Sequence, residues 1–191
     1  MIILASNSPR RKDILKEYGY DFSVIKSRYE ESGGTSDPIT TALKFAKGKA
    51  KDVFNALKKE NRTRGAAVIG ADTVVYYDGA ILGKPKDAHA AEKTLKTLSG
   101  KEHEVITAFA VLSEKSEVYG YDVSKVKFNE LSDSLIKDYV ATGKPLDKAG
   151  SYGVQDGFDI VAAVEGSVYN VIGLPIEKLK PILDLFSAEN L

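Results

Sequence analysis

The sequence predicts an α/β fold in which helices flank a mixed β-sheet. Three stretches carry this prediction. Residues 2–18 read as strand, polar turn and helix. Residues 66–77, AAVIGADTVVYY, form a long apolar run suited to a central strand. Residues 104–112 and 118–128 alternate apolar and polar positions on either side of a polar turn. That is the pattern of an antiparallel pair, so the sheet is mixed rather than purely parallel.

The elements follow in order. Ile2, Ile3 and Leu4 start a buried strand, and Ser6-Asn7-Ser8 breaks it. Ser8 stands at an N-cap position and Pro9 at the first helical position, where its missing N–H costs nothing. Ile14, Leu15 and Tyr18 give that helix its apolar face. Arg10 and Arg11 lie in its first turn, against the helix dipole. Either they are solvated, or an anion such as phosphate sits between them and the helix end. A second strand is expected at residues 22–25, then a polar loop from Lys26 to Asp37. Asp37 and Pro38 open a long helix to about Arg62. Lys49 falls on its apolar stripe, where it either finds a partner or snorkels.

Asp72 interrupts the central apolar strand. A carboxylate there needs a partner, so Asp72 is either functional or placed at a bulge. Asp78-Gly79 signals a hairpin returning through Ile81 and Leu82 to Gly83-Lys84-Pro85. Lys84 is no Walker lysine, since no GxxxxGK[ST] surrounds it. Asp87 caps a helix to about Leu98, and His103 is read as a structural residue preceding the next strand. Ser132 caps a helix running through Tyr139 to Gly143. Residues 143–157, GKPLDKAGSYGVQDG, form a glycine-rich loop that either approaches a ligand closely or is simply a surface loop. A strand at residues 160–164 follows. A last helix opens at Gly173-Leu174-Pro175, with a kink expected at Pro181.

Composition limits the chemistry. The chain has 191 residues, 27 basic and 27 acidic, and a formal net charge of zero. No basic field suggests nucleic-acid or membrane binding. There is no cysteine, and His89 and His103 are the only histidines, so thiol chemistry is excluded and a histidine-rich zinc site is not expected. A bound metal would be a hard cation held by carboxylates, magnesium or manganese. No segment reads as a signal peptide or membrane span, which makes a cytoplasmic location the expectation.

Six colinear segments together resemble the Maf family, also called septum formation inhibitor proteins. They are ASNSPRR (5–11), GADTVV (70–75), GKP (83–85), LSGKEHEVITA (98–108), TGKPLDKAGSYGVQ (142–155) and NVIGLP (170–175). The resemblance covers almost the whole chain. It implies a single domain over residues 1–191, with an elongated mixed sheet, two lobes around one cleft, and a fold similar to the inosine triphosphate pyrophosphatases. It implies a nucleoside triphosphate pyrophosphatase of the dTTP/UTP branch, acting on canonical or modified pyrimidine nucleotides with a divalent cation. By the resemblance, the phosphate loop falls on Ser6, Ser8, Arg10 and Arg11. The catalytic aspartate falls on Asp72, with Lys49 and Lys84 as motif lysines. The loop acid falls on Glu31, with Glu30 adjacent, and Glu31 and Asp72 would hold the metal. Base choice falls on Arg11, Thr73 and Gln155, the last in Gly153-Val154-Gln155. Lys144 stands where an acid is common. A non-enzymatic nucleotide-binding regulator of cell division is the alternative, and a homodimer is left open.

Overall fold

The computed structural model describes residues 1–188. Seven strands form one mixed sheet. Strand β1 (Ile2–Leu4) lies between β2 (Phe22–Val24) and β3 (Ala67–Tyr77), parallel to both. β4 (Ala80–Leu82) folds back on the end of β3. Asp78 and Gly79 both take positive φ there, as a two-residue hairpin requires. β5 (Glu102–Leu112), β6 (Glu117–Phe128) and β7 (Val161–Glu165) continue the sheet from β3 in antiparallel fashion.

The pairing of β3 is uneven, and this places the site. β5 covers one edge from Val68 to Tyr76. On the other edge β1 pairs with Ala67–Ile69 and β4 with Val75–Tyr77. Residues Gly70 to Val74 therefore have no neighbouring strand on that edge among the described residues.

Side chains alternate across β3. On one face Ile69 and Ala71 pack with helix α1 (Pro9–Glu17) and helix α6 (Ile176–Ala188), and Val75 packs with α3 (Ala88–Leu98) and α4 (Asp133–Ala141). On the other face Val68 and Val74 meet α2 (Pro38–Lys59), whose buried stripe includes Ala42, Ala46, Ala50, Val53 and Leu57. Gly70 lets α2 lie directly on the strand. A Cβ at that position would stand 2.3 Å from the Ala46 carbonyl oxygen.

The expected caps at Asp37, Asp87 and Ser132 each accept from the backbone N–H three residues on. Several boundaries differ. α2 ends at Lys59, three residues short of Arg62. His103 lies inside β5 rather than before it, 3% exposed, with Nε2 2.8 Å from the Tyr152 hydroxyl. Its structural reading stands. The glycine-rich loop contains two short 3₁₀ turns, Lys144–Asp147 and Ala149–Ser151. A short helix, α5 (Val168–Ile172), precedes Gly173 and was not anticipated. Pro181 sits inside α6 without ending it.

Candidate active site

A cavity of about 550 Å³ opens where β3 lacks its neighbour, and every candidate residue named above except Glu30, the alternative to Glu31, lines it. At its centre are two carboxylates and one lysine. Asp72 is 6% exposed and projects toward α2. Lys49, brought down onto β3 by the close approach at Gly70, donates to Asp72 Oδ1 at 2.6 Å. The same ammonium lies 2.6 Å from Glu31 Oε1. Lys49 has therefore found its partners, and of the adjacent acids it is Glu31 that lines the cavity. Burial pushes the Asp72 carboxyl above its ordinary value, with Lys49 and Arg11 pulling the other way. Burial also acts to raise Glu31, but Lys49, helped by Lys84 and Arg11, holds it below the usual carboxylate range.

Glu31 reaches Lys49 because its loop is strapped along α2. The Asp52 carboxylate accepts from Ser27 Oγ at 2.9 Å and from the Arg28 backbone N–H at 2.7 Å. The Lys44 ammonium donates to the carbonyls of Ser32 and Gly33. Lys84 approaches from the far side of the gap, on the segment that follows β4. The Gly83 carbonyl there accepts from the Gly150 N–H.

The first turn of α1 forms another wall. Ser8 occupies the N-cap position, but its hydroxyl makes no cap bond, which corrects the expected capping role. Its backbone N–H instead donates to Ser6 Oγ at 3.2 Å. No side chain caps this helix start, so its dipole faces the cavity uncapped. Arg10 donates to Asp147 Oδ2 at 2.9 Å.

Arg11 is buried, and its guanidinium is spread over three acceptors. Nε donates to the Gly173 carbonyl at 2.8 Å, and the terminal nitrogens donate to Ser6 Oγ and Thr73 Oγ1, each at 3.2 Å. Burial lowers its pKa, with the Asp72 charge opposing. Thr107 Oγ1 donates to the Asn170 carbonyl at 2.7 Å, leaving it to accept from Thr73 at 3.0 Å. The hydroxyls thus run in one direction from Arg11 across the sheet. Asn170 closes the ladder: its side chain accepts from the Thr107 N–H and donates to the Val105 carbonyl and Ser124 Oγ.

Gln155 lies on the wall formed by the late loop. Sequence reading missed how this wall is built. Lys148 is 8% exposed and lines the cavity. Its ammonium meets the Lys144 carbonyl at 2.6 Å, Asp147 Oδ1 at 2.9 Å and Asp156 Oδ2 at 3.3 Å. Burial acts to raise Asp147, but Lys148 and Arg10 hold its carboxyl low. The Tyr139 hydroxyl donates to Asp156 Oδ2 at 2.6 Å and accepts from the Gly153 N–H at 3.0 Å. Lys144 extends to the Asp156 carbonyl at 3.0 Å.

This arrangement is a cavity with a cation held between two acids and further cations on its walls. It suits an extended polyanion with a reactive centre near Asp72. The sequence profile described as Maf-like protein matches residues 1–186. The chain belongs to the Maf family. Among Maf relatives, a protein of Aquifex aeolicus (strain VF5) is 49% identical over 183 residues, covering 95% of this chain and 93% of that one. One of Thermococcus onnurineus (strain NA1) is 46% identical over 178 residues, 93% of each chain. One of Alkaliphilus oremlandii (strain OhILAs) is 48% identical over 186 residues, 95% of this chain and 94% of its own. All three carry the name dTTP/UTP pyrophosphatase. No helix among the described residues of this Maf chain is long and apolar enough to cross a membrane.

Proposed function

We propose that this Maf protein hydrolyses dTTP and UTP to the nucleoside monophosphate and pyrophosphate. The observation that carries the reading is Asp72: a nearly buried carboxylate at an open strand edge, facing a cavity ringed by cations. Pure anion binding has no use for a carboxylate there. Hydrolysis does, because water attacking the α-phosphorus must lose a proton as the anhydride bond breaks. Asp72 takes that proton as general base. Arg10, Lys49 and Lys84, with Ser6, Ser8 and the open start of α1, offset the charge on the phosphates. Arg11, Thr73 and Gln155 face the base. The names of the relatives support the same substrate pair.

The donor set fits a hard dication. Lys49 already places one positive charge between two carboxylates, and all the acidic donors are oxygen. Among the described residues no group of three or more histidines and acids forms a self-contained metal site. Glu31 and Asp72 are the residues that would hold a magnesium or manganese ion. When bound it supplies charge neutralisation at the reacting phosphate.

The test is pyrophosphate release from a nucleotide panel with and without magnesium. dTTP and UTP should turn over fastest, and chelation should stop the reaction. Nucleotide binding without any pyrophosphate release would favour a regulatory role instead.

A further inference from the structure

We infer that Lys148 is a specificity-positioning residue: it sets the turn from Gly153 to Asp156 so that Gln155 is presented to the base. The inference rests on the reading that Gln155 meets the base. Three observations support it. First, the ammonium of Lys148 donates to the Lys144 carbonyl and Asp147 Oδ1 and forms an ion pair with Asp156 Oδ2 at 3.3 Å, and Asp156 is the residue next to Gln155. Second, the turn is also held by Tyr139, whose hydroxyl bridges Asp156 Oδ2 and the Gly153 N–H, while the Asp156 N–H closes back on the Gly153 carbonyl at 3.1 Å. Third, the Lys148 stem lies against Gly153. A Cβ on that glycine would stand 2.8 Å from Lys148 Cε and 2.9 Å from the Asp156 carboxylate oxygens. A side chain at the head of the Gly-Val-Gln sequence would therefore have to displace Lys148 or the Asp156 carboxylate.

A buried lysine between two aspartates is a costly way to fill a core position, since an apolar side chain of similar volume would pack there without desolvating charge. What the charge adds is a fixed geometry. Asp147 accepts from Lys148 through one oxygen and from Arg10 through the other. A single polar chain thus joins the wall at the start of α1 to the turn that carries Gln155. Lys148 acts on base choice through this turn.

The experiment measures kcat/KM for dTTP and for GTP with magnesium in the parent and in the Lys148→Met, Tyr139→Phe, Gln155→Ala and Lys148→Met/Gln155→Ala variants. Misplacing a base-edge hydrogen bond lowers discrimination, so Lys148→Met and Tyr139→Phe should each reduce the dTTP-to-GTP ratio by about tenfold or more. The double variant should show no lower ratio than Gln155→Ala alone. Equal losses for both nucleotides in Lys148→Met would overturn the inference and leave Lys148 a role at the phosphates or in the fold. If Lys148→Met does not fold, Lys148→Gln takes its place and is read by the same ratio. A normal ratio in Gln155→Ala would refute the base-reading role of Gln155 and the inference with it. A collapsed ratio in Gln155→Ala beside normal ratios in the other single variants would refute the inference alone.

Discussion

At the residue scale the site depends on Asp72 being both buried and held by one lysine that it shares with Glu31. Asp72→Asn keeps the shape and can still accept from Lys49, so the melting temperature should change little. Loss of the base should lower kcat by roughly 10²- to 10⁴-fold. A kcat within a few-fold of the parent would remove Asp72 from the mechanism. Because burial holds its carboxyl above the ordinary value, the acid limb of kcat/KM against pH should lie above the usual aspartate range. Lys49→Met removes the charge that opposes this shift and should move the limb higher still. His103 gives a second pH dependence, in stability. Burial lowers its imidazole from 6.5 to about 4. The fold therefore keeps His103 neutral where the unfolded chain takes up a proton. Its contribution is complete above about pH 6.5 and is lost as the pH falls toward 4, amounting there to about 3 kcal/mol. Denaturant titrations at pH 7 and pH 4 should show this loss in the parent and a smaller one in His103→Gln.

At the scale of elements, α2 is the template for the chemistry. It carries Lys49, and the loop bearing Glu31 is strapped along it. Its contact with β3 passes through Gly70. Gly70→Ala would drive a methyl group into the Ala46 carbonyl. Overpacking of this kind costs about 1–3 kcal/mol, and lifting α2 would also separate Lys49 from Asp72. Both the melting temperature and kcat should fall; a variant with parental values of each would show that the contact yields without consequence. The same elements show what could be read from sequence. The principal strands, five of the helices and the oddity of Asp72 were legible, because periodicity and capping are local signals. Glu31 and Lys49 could be named but not joined, since their meeting depends on a strap across α2. Lys148 was not singled out, as its ion pair with Asp156 forms only once the loop folds back on itself. Asn170 went unread because α5 is five residues long, too short for a helical period to show.

For the whole molecule, the relation between sheet and cavity determines what can move. The β3–β5 ladder runs without a register shift from Val68–Leu112 to Tyr76–Glu104. β3 and β5 contribute to apolar clusters on both faces and toward both ends of the ladder. Bending the molecule about the cavity would break these cores, whereas moving the loops would not. Hydrogen exchange should therefore show dTTP-dependent protection in residues 26–37 and 143–157, with β5 and β6 unchanged. Broad changes along β5 would show that the sheet itself flexes. The unpaired edge of β3 has a further consequence. An exposed strand edge ordinarily invites another strand, and proteins block such edges to avoid aggregation. Here the unpaired edge lies between the ends of two three-residue strands, β1 and β4, and faces the cavity. Strand length is thereby under functional constraint. Extending β4 by a few residues toward β1 would complete the ladder, stabilise the sheet and fill the space the substrate needs. Such a site can be lost by making the sheet more regular as readily as by damaging it.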